Sequence, residues 1–466
     1  MLLRRRSAAL GAVLASLLLA TSLPTDAAVP IDTVDDVATA TAVASPLELP
    51  YDAVSVFQTG ELTAPIRDAA LAAARDAGAP AVVGRGFTAL LTSVRRGSTI
   101  VQASTGAGWA FPMAVTALPL DAIGGVMGRD VAGVIAQGRI VMSQTSAAIR
   151  GAQVGDLVYL VGAPGPFTIG RIGSDTEVGG TEIVMSVEQA NLIGATIPTR
   201  VLIYGQFDRA RLTTALYQRG LCTAPTGPVC ITNPSVRAKV RRSWDPRDPD
   251  GQLTMAETKR IMGEFDFNYA NLSTSGWTSM NPAWVARYLP TRDTYPTGIR
   301  ARCNIAVKAD LRAALTEVVN SGLGGGIDAA NANSYGGCAT GSVRFARITQ
   351  ALGNVSRHSW GQPLDTNTTT NCQGCIPKLD CRIVRIFRKH GFAWGGNFLT
   401  PDGMHLEWVG ERRDQWSYPS RFCGNIGPFL AASSVQSTNG VAAAPAVPTE
   451  RETLFAEDGF VGDEHP

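Results

Sequence analysis

The chain has 466 residues, 45% of them hydrophobic, and a formal net charge of +2. Such a length exceeds one ordinary core and predicts two or three domains. No basic run interleaves with aromatics, so the composition excludes a nucleic-acid-binding or polybasic membrane-surface protein and says nothing more about partners.

Residues 1–28 read as a secretory signal peptide. Arg4 to Arg6 supply a basic start, an apolar stretch runs from Ala8 to Ala20, and "TSLPTDAA" offers small residues for cleavage near Ala27 or Ala28. A membrane anchor needs roughly 20 apolar residues, more than this stretch holds, and no later stretch qualifies. The mature protein is therefore expected to be secreted or extracytoplasmic, with no membrane span after signal cleavage. Residues 29–46 are small and lack apolar period, as in a linker.

Residues 47–220 alternate β-branched runs with amphipathic segments, which predicts an α+β accessory domain. "AVSVF" is a strand, "APIRDAALAAARDAG" a helix closed by Gly78, and "GRIVM" a further strand. Ser143 is placed to cap "QTSAAIRG", and "GDLVYLVG" with "FTIGRI" reads as a hairpin. This domain contains neither cysteine nor histidine, so it offers no metal ligand set and no nucleophile–base pair. The run "GRIVMSQTSAAIRGAQVGDLVYLVG" resembles the extracytoplasmic domains of macrolide-exporter-type ABC permeases, a similarity that implies a binding module.

Residues 221–298 form a Pro-, Arg- and Trp-rich connecting region. "DPRDPDGQLTMAE" imitates a calcium loop, with Asp248, Asp250, Gly251 and Glu257 in ligand or turn places, but Pro246 occupies the first place and cannot coordinate through its side chain. A polar turn before a helix is the better reading. All eight cysteines lie from Cys222 onward, an even number that suggests disulfides in an exported chain. Cys222 and Cys230, around a short Pro/Gly loop, are the easiest pair to assign. A zinc knuckle of Cys372, Cys375, Cys381 and Cys423 is the rival reading, disfavoured in an oxidising compartment.

Residues 299–430 form the last domain. "VKADLRAALTEVVNSG" puts Val307, Leu311, Leu315 and Val318 on one stripe and ends at Gly322. "PKLDCRIVRIFRKHG" predicts a second helix with Pro377 in its first turn and Leu379, Ile383, Ile386 and Phe387 buried. Residues 431–466 lack period and read as a disordered tail.

Chemistry concentrates in "SRHSWGQPLDTN" and "TPDGMHLEWVG". His358 and Asp365 are seven residues apart, and Gly361 between them lets the backbone turn both side chains to one point. A catalytic zinc needs one more protein ligand and an open position. The chain has four histidines; His465 is in the tail, and His390 ends a helix, where its charge suits the helix C-terminus. His405 remains. It alternates with Met404, Leu406 and Trp408, the pattern of a half-buried strand whose polar face carries His405 and Glu407. Asp402, three residues earlier, is within reach of a water at such a site without being a ligand.

"SRHSWGQPLD" followed by "GFAWGGNFLTPDGMHLEW" resembles the M15-type zinc peptidases, which include D-Ala-D-Ala carboxypeptidases and L-alanyl-D-glutamate endopeptidases. The resemblance implies a small antiparallel sheet with flanking helices, and Zn2+ held by His358, Asp365 and His405. It makes Asp402 the general base, Ser356 and Glu407 supporting residues, and an upstream arginine the group that binds substrate or oxyanion. Arg344 is the first choice and Arg347 the second. Pro363 departs from the alanine usual in the family. The implied substrates are peptidoglycan stem peptides outside the membrane, which places the protein at the cell wall. D-alanyl-D-alanine carboxypeptidase activity is the leading expectation. The alternatives are the endopeptidase and a non-catalytic, zinc-containing cell-wall-binding protein. A fragment of residues 299–430 is expected to keep the activity.

Overall fold

The computed structural model describes residues 52–425, apart from positions 59, 227–228, 234–235, 237–238, 243–247, 274–275, 331–337, 340–342, 349–350, 399 and 419. The predicted signal peptide, linker and C-terminal tail lie outside the described residues.

The architecture is α+β. Strand Ala81–Arg96 is long enough to take different partners along its length. It pairs with Arg200–Gly205 at its start, Trp109–Leu118 in its middle and Leu157–Leu160 near its end. From Leu157–Leu160 the ladder continues through Phe167–Gly173, Ile140–Ser143 and Ile183–Ser186 back to Trp109–Leu118, which closes six strands into a ring. Phe87, Met113, Met142, Val158, Ile169 and Ile183, one from each strand, share a core. Closure pairs the strands that would otherwise be edges. The local expectations hold here. Helix Ala64–Ala77 ends at Gly78 in the left-handed conformation, and Ser143 caps Gln144–Arg150 by accepting the Ser146 N–H. Leu157–Leu160 and Phe167–Gly173 pair antiparallel, as the hairpin reading predicts.

Alternation along the ring strands gives each a second face. Leu90, Ala110 and Ala114 pack in a core with residues from Leu253 to Val409. Leu253, Met255, Met262, Phe265 and Trp284 belong to that core alongside Leu311, Trp360, Ile383 and Leu406. Packing thus runs straight across residue 298. The short apolar runs of 248–298, broken by Pro and Gly, conceal this in the sequence.

A buried charge cluster joins the ring to helix Met255–Met262. Lys259 Nζ lies 2.9 Å from both oxygens of Glu182 and 3.1 Å from Glu264. Arg150 pairs with the same two carboxylates. The turn expected before this helix is present, with Thr254 accepting the Glu257 N–H at 3.1 Å. Asp250 is buried against Arg388, in two bonds of 2.8 and 2.5 Å, and so is committed to an ion pair.

Helix Lys308–Asn320 buries Leu311, Leu315 and Val318, as predicted. The second predicted helix begins later than expected, at Cys381–Lys389, so Pro377 is not in its first turn. Asn371 Oδ1 accepts the backbone N–H groups of Lys378 and Leu379, and the Asp380 side chain caps the helix by accepting that of Arg382. These bonds hold the residues after Pro377 in a turn. Disulfides join Cys222–Cys230, Cys303–Cys338, Cys372–Cys375 and Cys381–Cys423. The last two consume the four cysteines of the knuckle alternative, and the set fits an extracytoplasmic compartment. Among the described residues no helix is long and apolar enough to cross a membrane.

Candidate metal centre

Three short strands build the site: Pro363–Asp365, His405–Trp408 in the middle, and Phe392–Trp394. Asp365 stands directly opposite His405 in the antiparallel register, so both side chains leave the sheet on one face. His358 comes from the single helical turn Arg357–Trp360, where the Ser356 hydroxyl accepts the His358 N–H at 3.3 Å. Gly361 ends that turn at φ 67°; a Cβ there would lie 2.6 Å from Leu289 and 2.9 Å from the Asn304 nitrogen. Glycine is therefore needed for both the reversal and the packing. Pro363 is the first residue of an outer strand, a place where a missing N–H is tolerated.

The three side chains converge. His358 Nε2 is 3.1 Å from one oxygen of Asp365, and His405 Nδ1 is 3.1 Å from the other. Their candidate ligand atoms all lie within 4.8 Å of one another. The remaining ring nitrogens are occupied: His358 Nδ1 donates to the Cys338 carbonyl at 2.9 Å, and His405 Nε2 to Glu407 at 3.2 Å. Each ring thereby presents its free nitrogen to the common point, Nε2 in one and Nδ1 in the other. The strand pattern expected for 404–408 is corrected in one respect. Both faces are buried, and Glu407, fully enclosed, is held by Gln252 at 2.5 Å and Gln362 at 3.1 Å.

Asp402 sits on the turn entering the central strand, its N–H bonded to the Gly395 carbonyl at 2.8 Å. A Cβ on Gly395 would come within 2.6 Å of the Asp402 carbonyl oxygen and 2.9 Å of His405 Cβ, which explains a glycine in "WGG". Asp402 Oδ2 is 4.0 Å from His405 Nδ1, and its Oδ1 is buried with no hydrogen-bond partner. Burial pushes the Asp402 carboxyl up to about 7, against the pull of His405 and with the Asp365 charge adding to the rise. Burial disfavours a charged His405, yet its bonds to Asp365 and Glu407 outweigh this and lift it to about 10. Burial likewise acts to raise Asp365, but the two histidines hold it well below the usual carboxylate range.

A metal ion fits this set on the chemistry of its donors. Two imidazoles with opposite nitrogens free and one carboxylate suit zinc with a position left open. The orphaned Asp402 oxygen beside them marks a place for a hydrogen-bonding guest.

Other expectations fare differently. Arg344 lies on strand Val343–Ile348 opposite Trp277, and Arg347 falls at the register shift between Ala346 and Ile348; their side chains lie outside the described residues. His390 pairs through its ring with Glu317 at 2.7 Å. Trp360, Trp394 and Trp408 are all buried, so they serve the core, while Trp416 is half-buried with Arg413 over its ring. Sequence reasoning missed Gln252, Asp250 and the Cys338 carbonyl, for which no local motif exists.

The donor geometry is that of a site able to hold a metal ion. Residues 349–408 match the model of the M15 peptidase family described as D-alanyl-D-alanine carboxypeptidase. The match includes Ser356, His358, Asp365, Asp402, His405 and Glu407, supports a peptidase, and agrees with the resemblance read from the two motifs. A search of curated proteins gives no match to the chain.

Proposed function

We propose that the protein is an exported zinc peptidase of peptidoglycan stem peptides, acting as a D-alanyl-D-alanine carboxypeptidase. The observation that carries this reading is the meeting of His358, Asp365 and His405 beside the buried, unpartnered Oδ1 of Asp402. The four disulfides and the basic, apolar N-terminus support export to where such a substrate lies.

His358 Nε2, Asp365 and His405 Nδ1 would hold the ion. When bound, zinc supplies Lewis acidity, polarising a carbonyl and acidifying water. Asp402 takes a proton from the attacking water on Oδ1 as the C–O bond forms, then delivers it to the amine nitrogen as the C–N bond breaks. Ser356 holds the turn that aims His358. An arginine of strand Val343–Ile348, Arg344 before Arg347, would bind the substrate or the developing oxyanion. In this reading residues 47–220 are an accessory domain and 299–430 carry the peptidase chemistry, with residues 253–284 sharing the core of the latter.

The test is product mass after incubation with a defined pentapeptide muropeptide, with and without chelator. Chelator-sensitive loss of one terminal alanine is expected. Cleavage after L-alanine would instead identify the endopeptidase, and zinc uptake with no product would identify a binding protein.

A further inference from the structure

Gln252 lies 155 residues before its partner Glu407 and outside the stretch that matches the peptidase family. Only 3% of Gln252 is exposed, and Glu407 and Gln362 are fully buried. The Gln252 amide nitrogen donates at 2.5 Å to Glu407 Oε2, the same oxygen that faces His405 Nε2 at 3.2 Å. Gln362 donates to the other oxygen at 3.1 Å and to the Trp408 carbonyl at 2.8 Å. An ionised carboxylate only accepts, so both glutamines must turn their nitrogens toward it.

We propose that Gln252 is a positioning residue for the metal ligand His405, acting through Glu407; the proposal rests on the metal-centre reading above. His405 has two neutral forms. With the proton on Nε2, it donates to Glu407 and offers Nδ1 to a metal. With the proton on Nδ1, it donates to Asp365 and closes that position. Gln252 fixes the Oε2 oxygen in the plane where it selects the first form, and Gln362 keeps the carboxylate from rotating. Acceptors such as Glu407, behind a metal-binding histidine, typically set affinity by about 10–100-fold. Gln252 stands one bond further back, so about 10-fold is expected.

The experiment measures zinc affinity of the full chain by chelator competition, in the wild type, Gln252→Met, Glu407→Gln and the double variant. Gln252→Met keeps the length and removes the donor. Affinity should fall about 10-fold in Gln252→Met, and the double variant should bind no more weakly than Glu407→Gln alone, because the glutamine has nothing left to position. Losses that multiply in the double variant, or a Gln252→Met within about twofold of wild type, overturn the proposal. A purely structural role would give the multiplying result. If Gln252→Met does not fold, Gln252→Asn, which withdraws the amide by one methylene, takes its place in the same cycle. The measurement needs no substrate. A wild type that binds zinc but releases no alanine therefore sinks the peptidase reading while the cycle still decides on Gln252; a wild type that takes up no zinc sinks both.

Discussion

Among the described residues, two buried clusters of ionisable groups are built on opposite plans. Arg150, Glu182, Lys259 and Glu264 balance two positive against two negative charges, and both oxygens of Glu182 lie 2.9 Å from Lys259. His358, Asp365, Asp402 and His405 are less enclosed, with His358 only partly buried, and they leave an Asp402 oxygen unpaired and aim donor atoms at a common point. The first cluster is complete in charge, although Arg150 Nε has no hydrogen-bond partner, and it joins the ring to helix Met255–Met262. The second is incomplete in that its candidate ligand atoms converge on one point beside an unpaired Asp402 Oδ1. Burial of charge alone therefore does not separate the two; the convergence of candidate ligand atoms does. Each of the following experiments bears on that contrast.

The largest effect is expected from cutting the chain at residue 298. The sequence alone suggests that residues 299–430 stay active. The structure predicts the reverse, because Asp250, Gln252, Leu253 and Thr258 bond directly to Arg388, Glu407 and Arg357. Loss of these bonds would leave two arginines and a glutamate short of buried partners, each gap costing a few kcal/mol. The fragment should show no cooperative unfolding by circular dichroism and bind no zinc. A folded, zinc-loaded fragment would show the two clusters to be independent.

Next in size is the separation of proton transfer from coordination in the incomplete cluster. Asp402→Asn keeps shape but cannot accept a proton, and should lower turnover by about 10²–10⁴-fold. Its zinc content should match the wild type, whereas His405→Ala should lose the metal. Zinc by elemental analysis and alanine release are read on the same samples. Near-normal turnover in Asp402→Asn would remove Asp402 as the base. In the complete cluster the comparable change is Lys259→Met, which leaves Arg150 alone against Glu182 and Glu264. Breaking a buried pair costs about 3–5 kcal/mol, and denaturant midpoints should show it. Adding Glu264→Gln restores the charge balance and should recover part of the loss; no recovery would mean the charges are not what the cluster contributes.

The sequence carried the incomplete cluster far better than the complete one. His358, Asp365, Asp402 and His405 occur within two short motifs, since one turn and one strand pair suffice to bring them together. Gly361 was readable for the same reason. Gln252 and Asp250 were not, because their partners are more than a hundred positions away and a lone Gln or Asp before a helix looks like a turn. Lys259 and Glu182 likewise belong to no local motif, since they lie 77 positions apart. The six-stranded ring was hidden by its mixed parallel and antiparallel pairs, which no hairpin spacing announces. Pro377 misled in a different way: its preference for a first helical turn was overridden by the Asn371 side chain, seven and eight residues from the amides it binds.

The smallest effect expected is a pH dependence between about pH 5.5 and 9 that belongs to the incomplete cluster. In metal-free protein His405 is lifted to about 10, so it favours the fold fully below its ordinary value of about 6.5 and loses that contribution as pH rises toward 10. Asp402, pushed up to about 7, adds a fall of the same sign between its ordinary value near 4 and 7, because the folded state holds the proton more tightly. Asp365, held low, works the other way and costs stability only in acid. Chelated protein should therefore melt at a higher temperature near pH 5.5 than near pH 9. Zinc binding requires His405 Nδ1 without its proton, so affinity rises with pH and excess zinc should flatten the decline. His405→Ala should flatten much of it without any metal, whereas Lys259→Met should shift the whole curve down and leave its slope. An equal slope in chelated wild type and His405→Ala, measured by thermal melts across the range, would detach the pH dependence from this site.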